Sequence, residues 1–107
     1  MTAADESASD SPPPAGAPVL SRTVTIPNKR GMHARAAARF VMLAEQFGAS
    51  VDVLRDGQSV SARSIMGLMM LGAGRGAVIE LRAEGWDAKE ALDALVGLVE
   101  AGFNEQD

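Results

Sequence analysis

The stretch Asn28-Lys29-Arg30-Gly31-Met32-His33-Ala34-Arg35 sets the only histidine of the chain beside a glycine turn and at the mouth of a helix-forming run. From Ala34 onward the residues are strong helix formers, and Gly48 supplies the expected stop. The first amides of such a helix lack partners within it, and the aligned peptide dipoles add partial positive charge there. Phosphate or carboxylate is welcome at that end. Lys29, Arg30, Arg35 and Arg39 add formal positive charge to the same neighbourhood, so a dianion could be held. Neutral imidazole is a good nucleophile near neutral pH, and nearby positive charge stabilises a phosphoryl group once attached. The chemistry that fits is reversible phosphorylation of His33. A lone histidine is more often a surface or capping residue. Four features favour chemistry here: the preceding glycine, the helix start, Arg35 two residues on, and the lack of any other histidine, cysteine or tyrosine.

A second stretch, Ser64-Ile65-Met66-Gly67-Leu68-Met69-Met70-Leu71, reads as a short helix opened by a serine and closed by Gly72. A serine there is worth about 1 kcal/mol as a cap. Phosphorylated, Ser64 would add roughly −1.5 to −2 charge beside an apolar surface and repel a partner docking there. So short a helix cannot bury all of its apolar residues. Leu68 and Leu71 are expected in the core, whereas Ile65, Met66, Met69 and Met70 form an exposed patch beside His33, where flexible thioethers suit several partners.

The elements that must position these residues can be read from periodicity. Strands are expected over 21–27, 49–54, 59–63 and 77–83, with Val24, Ile26, Val51, Val53, Ile79 and Leu81 on a covered face. Asp56-Gly57 signals a hairpin between the second and third. Helices are expected over 34–47, over 64–71 and from 87 to Gly102. Ala37, Phe40, Val41, Ala44 and Phe47 line the first; Ala88, Ala91, Leu92, Leu95, Leu98 and Val99 line the last. Asp87 and Glu90 make an acidic variant of the capping box. The order βαββαβα gives an α+β sandwich with helices on one face of an antiparallel sheet.

At 107 residues the chain has room for one domain, expected over 19–107. Residues 1–18, rich in Ser, Pro and Ala, carry too little apolar surface to offset ordering entropy and read as a disordered tail. They lack the basic start and apolar segment of a secretory signal, and nowhere are there the roughly 18 apolar residues of a membrane span. A soluble, cytoplasmic protein with no membrane insertion is expected. Without cysteine, and with one histidine, neither a metal centre nor a cofactor is expected. The formal charge is −4, but removing Asp5, Glu6 and Asp10 leaves 11 acidic against 10 basic residues. No nucleic-acid partner is expected, since the chain has no tyrosine and no basic strand face. The charges are asymmetric: cations surround His33, whereas Asp87, Glu90, Asp93, Glu100, Glu105 and Asp107 load the C-terminal end.

His33-Ala34-Arg35 at a helix start, Arg63-Ser64-Ile65-Met66-Gly67 opening the middle helix, and this element order together resemble the HPr family, the histidine phosphocarriers of the phosphoenolpyruvate-dependent phosphotransferase system. The resemblance spans about residues 19–103 and implies an α+β open-faced sandwich, a four-stranded antiparallel sheet with three helices on one face. It implies a bacterial, cytoplasmic, monomeric phosphoryl carrier rather than an enzyme. Its phosphoryl group would come from enzyme I and pass to enzyme IIA proteins. By the same resemblance His33 accepts through its δ nitrogen and Arg35 steadies the phosphoryl oxygens. Ser64 would be the target of an HPr Ser kinase/phosphorylase, and Ala34, Ile65, Met66, Met69 and Met70 would touch partners. The cargo could end in sugar uptake or in a regulatory branch, and the sequence leaves both open. The family commonly has proline after the active-site arginine; Ala36 stands there, which keeps the helix but loosens its first turn. A different class of reading is a protein-binding regulatory module that uses the Met-rich helix, with His33 a mere cap.

Overall fold

The computed structural model describes residues 19–105, so the tail expected over 1–18 lies outside the described residues. Alternating apolar residues build four strands: β1 (Leu20–Thr25), β2 (Ser50–Arg55), β3 (Gln58–Ser61) and β4 (Val78–Glu84). They form one antiparallel sheet in the order β1-β4-β2-β3. Two α-helices lie between strands, α1 (Ala34–Ala44) and α2 (Ile65–Met70), and a third, α3 (Ala88–Glu100), follows β4. The order βαββαβα and the α+β open-faced sandwich are as expected.

One face of the sheet carries Val24, Val51, Val53, Ile79, Leu81 and Ala83, all buried, and α1 and α3 bury Phe40, Val41, Leu92, Leu95 and Val99 in the same core. Apolar area removed from water is the main force holding these layers together. Along β4 the alternate residues Val78, Arg82 and Glu84 are exposed, so the other face is open. Asp56 and Gly57 close the β2–β3 hairpin, with Arg55 opposite Gln58.

Strands β1 and β3 end earlier than expected, at Thr25 and Ser61, and the end of α1 and the cap of α3 differ from expectation for one shared reason. The first helix ends at Ala44 rather than Phe47, after which Gln46 and Phe47 bond three residues back, to Leu43 and Ala44. Asp87 makes no side-chain cap on α3. Its buried carboxylate instead accepts the amides of Gly48, at 2.9 Å, and Ala49, at 2.8 Å. Those bonds draw the chain off the helix path and into β2, so Asp87 ties two connections together where a capping box was expected. On α3 the buried stripe includes Val96, and Leu98 is only partly buried. Phe47 likewise packs at the edge of the core.

Candidate functional site

Gly31 forms the turn that presents the histidine. Its φ of +67° lies in the left-handed region, and a Cβ there would stand 2.5 Å from the Ala73 carbonyl oxygen and 2.7 Å from the Gly74 Cα. Glycine is required on both counts. The adjacent Met32 amide donates to that same Ala73 oxygen at 2.9 Å, stitching the loop before α1 to the segment that follows α2.

His33 follows as the N-cap of α1, with extended backbone (φ −79°, ψ 179°) and Nδ1 accepting the Arg35 amide at 3.3 Å. The bond from the Ala37 amide to the His33 carbonyl, at 2.8 Å, is the first rung of the helix, and the amides of Ala34, Arg35 and Ala36 precede it. The ring thus lies over the amino end of α1, where the helix dipole favours an anion. Its side chain keeps 17% of its surface exposed, so it is neither entombed nor free. The capping role falls on Nδ1.

Arg35 is exposed, and its guanidinium meets no acceptor among the described residues. Ala34 is exposed beside it, and Ala36 is fully buried. Arg39 departs from the expected cluster: its guanidinium donates to the Phe103 carbonyl at 2.5 Å, so its charge anchors the C-terminal segment.

That segment supplies what the sequence reading missed. After α3, Gly102, Phe103 and Asn104 all take left-handed backbone (φ 65°, 58° and 61°), and the Phe103 side chain is fully buried. The reversal carries Glu105 back onto the histidine, where its carboxylate bonds Nε2 of His33. Asn28, itself buried, holds the other carboxylate oxygen at 2.9 Å through Nδ2, which also donates to the Gly31 carbonyl. Burial pushes the Glu105 carboxyl up. The hydrogen bonds from Asn28 and His33, with the charge of His33 when its ring is protonated and that of Arg30, outweigh that and hold it below the ordinary glutamate value. In the sequence Glu105 stands out only as part of an acidic C-terminal end. The signal that could have placed it is Gly102 and Asn104, two residue types tolerant of left-handed backbone, flanking an aromatic.

Ser64 caps α2, its Oγ accepting the Gly67 amide at 2.9 Å. Leu68 and Leu71 are buried. Met66 and Met70 are 70% and 74% exposed, and Ile65 and Met69 less so. Among the described residues no cluster of three or more His, Cys, Asp or Glu side chains could hold a metal, and no helix is long and apolar enough to cross a membrane. The site therefore offers a partly exposed imidazole over helix amides, flanked by an unengaged arginine and a paired carboxylate.

Comparison with known proteins places the chain in a family. Residues 20–101 match the family described as PTS HPr component phosphorylation site. The phosphocarrier protein HPr of Cupriavidus necator is 47% identical over 87 residues, covering 81% of this chain and 98% of that protein. The phosphocarrier protein NPr of Shewanella violacea is 46% identical over 86 residues, covering 80% and 94%. Among solved structures, HPr from Thermoanaerobacter tengcongensis superposes with a TM-score of 0.78 at 46% identity, covering 82% of this chain and 99% of that one.

Proposed function

The chain belongs to the HPr family of phosphotransferase-system phosphocarriers, and on that premise we propose that His33 carries the cargo, accepting a phosphoryl group from phospho-enzyme I and passing it to enzyme IIA proteins. The observation that supports this most is the placement of His33 Nδ1 over the amino end of α1. Phosphoryl transfer asks a small carrier mainly for positioning and charge stabilisation. The lone pair of Nδ1 attacks phosphorus as the bond to the donor breaks. The amides of residues 34–36 and the Arg35 guanidinium then face the phosphoryl oxygens. Returning the group reverses the same step, so the protein is a carrier with a phosphohistidine intermediate.

Partners would dock over Ala34, Ile65, Met66, Met69 and Met70, which are exposed to differing degrees around the loop that Met32 joins to Ala73. The carrier would act as a monomer in the cytoplasm. Ser64 is the site where an HPr Ser kinase/phosphorylase would regulate docking. Its oxygen lies at the start of the Met-rich helix, so a dianion added there would meet any partner seated on those methionines.

The test is incubation with phosphoenolpyruvate and enzyme I, followed by intact-mass measurement. The wild type is expected to gain one acid-labile phosphoryl group and His33→Ala none. An unlabelled wild type, or an equally labelled variant, would end this reading. The second reading, a protein-binding module, is favoured by the exposed methionines and predicts instead that His33→Gln preserves every interaction.

A further inference from the structure

Resting on the reading of His33 as phosphoacceptor, we propose that Glu105 is a positioning residue that fixes the imidazole with its proton on Nε2 and its lone pair on Nδ1. Two hydrogen bonds made by different segments require the same tautomer. A carboxylate can only accept, so the nitrogen it bonds, Nε2, must carry the proton. A backbone amide can only donate, so the nitrogen bonded to Arg35 N, Nδ1, must carry the lone pair. The lone pair is thereby aimed at the amino end of α1, the place where a phosphoryl group is held best.

The carboxylate is itself fixed from three sides. Asn28 holds its Oε1, which leaves Oε2 for the ring. Phe103 is sunk in the core two residues before it, and Arg39 clamps the Phe103 carbonyl. The side chain of Glu105 is only 9% exposed, so water competes weakly for it. Left-handed backbone at Phe103 is costly for a residue with a side chain, and it persists because these contacts hold it.

The same pair balances the transfer step. When Nδ1 bonds phosphorus and the donor's bond breaks, Nε2 keeps its proton and the ring becomes a cation facing the Glu105 carboxylate. No proton has to leave the site. A cationic ring is also the better leaving group, so Glu105 serves the return step as well as the first.

The experiment compares wild type, Glu105→Gln and Glu105→Ala, all checked for fold by backbone amide spectra. Long-range proton–nitrogen spectra of the unphosphorylated ring report the tautomer without any partner protein. The wild type is expected to be protonated on Nε2, Glu105→Gln to keep that preference, and Glu105→Ala to show a mixture. Single-turnover phosphorylation by enzyme I should slow roughly tenfold in Glu105→Gln, where the charge is lost, with little change in KM. Unchanged ring spectra in Glu105→Ala, or unchanged rates in both variants beside a wild type that is labelled, would overturn this proposal alone. A wild type that is never labelled would overturn the carrier reading, and the assignment of Glu105 to phosphoryl transfer with it.

Discussion

The carbonyl oxygen of Ala73 lies where a side chain on Gly31 would have to go, only 2.5 Å from the position of a Cβ. The same oxygen accepts the Met32 amide, so the turn before His33 and the segment after α2 are pressed together through one atom.

Gly31→Ala should therefore do more than add left-handed strain, worth about 1–2 kcal/mol. It should also push the loop off Ala73 and move His33 away from the amino end of α1. Denaturant unfolding would register the destabilisation, and the His33 and Arg35 amide signals should shift most. A variant as stable as the wild type, with those signals unmoved, would contradict the steric argument.

Arg35 contributes charge without structural duty, since its guanidinium has no partner among the described residues. Arg35→Ala should leave stability within about 0.5 kcal/mol of the wild type. The rate of phosphoryl transfer from enzyme I should fall by tenfold or more, as expected when one donor to a developing charge is removed. Equal rates would mean that the helix amides suffice.

The methionines of α2 give the opposite separation. Met66→Glu with Met70→Glu should cost little stability, because both side chains lie mostly in water. It should raise the KM of enzyme I for the carrier while leaving His33 chemically competent toward a small phosphoryl donor. Ser64→Ala should lose about 1 kcal/mol, the usual worth of a cap, and should no longer be modified by a Ser kinase. Modification at another residue would remove Ser64 from regulation.

Acid should weaken the clamp on the ring in a defined direction. The Glu105 carboxyl titrates below its ordinary value of 4.5 because Asn28, His33 and Arg30 favour its charged form over the opposing effect of burial. A depressed folded-state pKa gives stability that is complete above the unfolded value and lost as pH falls through the folded one. The stability difference between wild type and Glu105→Gln should hold steady above pH 4.5 and shrink on acidification below it. A difference that is flat throughout, or that grows in acid, would contradict the assignment of the charged form.

Much of this architecture could be read from local pattern. Alternation placed Val51, Val53, Ile79 and Leu81 on the covered face, and helical spacing placed Phe40, Val41, Leu92 and Leu95 opposite them. His33 at a helix mouth and Ser64 as a cap were legible because both depend on neighbours within four residues. What escaped depends on contacts distant along the chain. Asp87 looks like a cap for its own helix, yet it bonds Gly48 and Ala49, and no periodicity links those positions. Arg39 belongs by sequence to the basic cluster and by structure to Phe103. Glu105 is by sequence one more acidic residue near the C-terminus, and by structure three left-handed residues turn it back onto His33.

The most direct measurement is a phosphorus–nitrogen correlation spectrum of protein labelled with nitrogen-15 in its single histidine and phosphorylated by enzyme I. Coupling to phosphorus is predicted at Nδ1, with Nε2 still bearing its proton. Coupling at Nε2, or a phosphorylated protein whose histidine shows no coupling at all, would contradict the account.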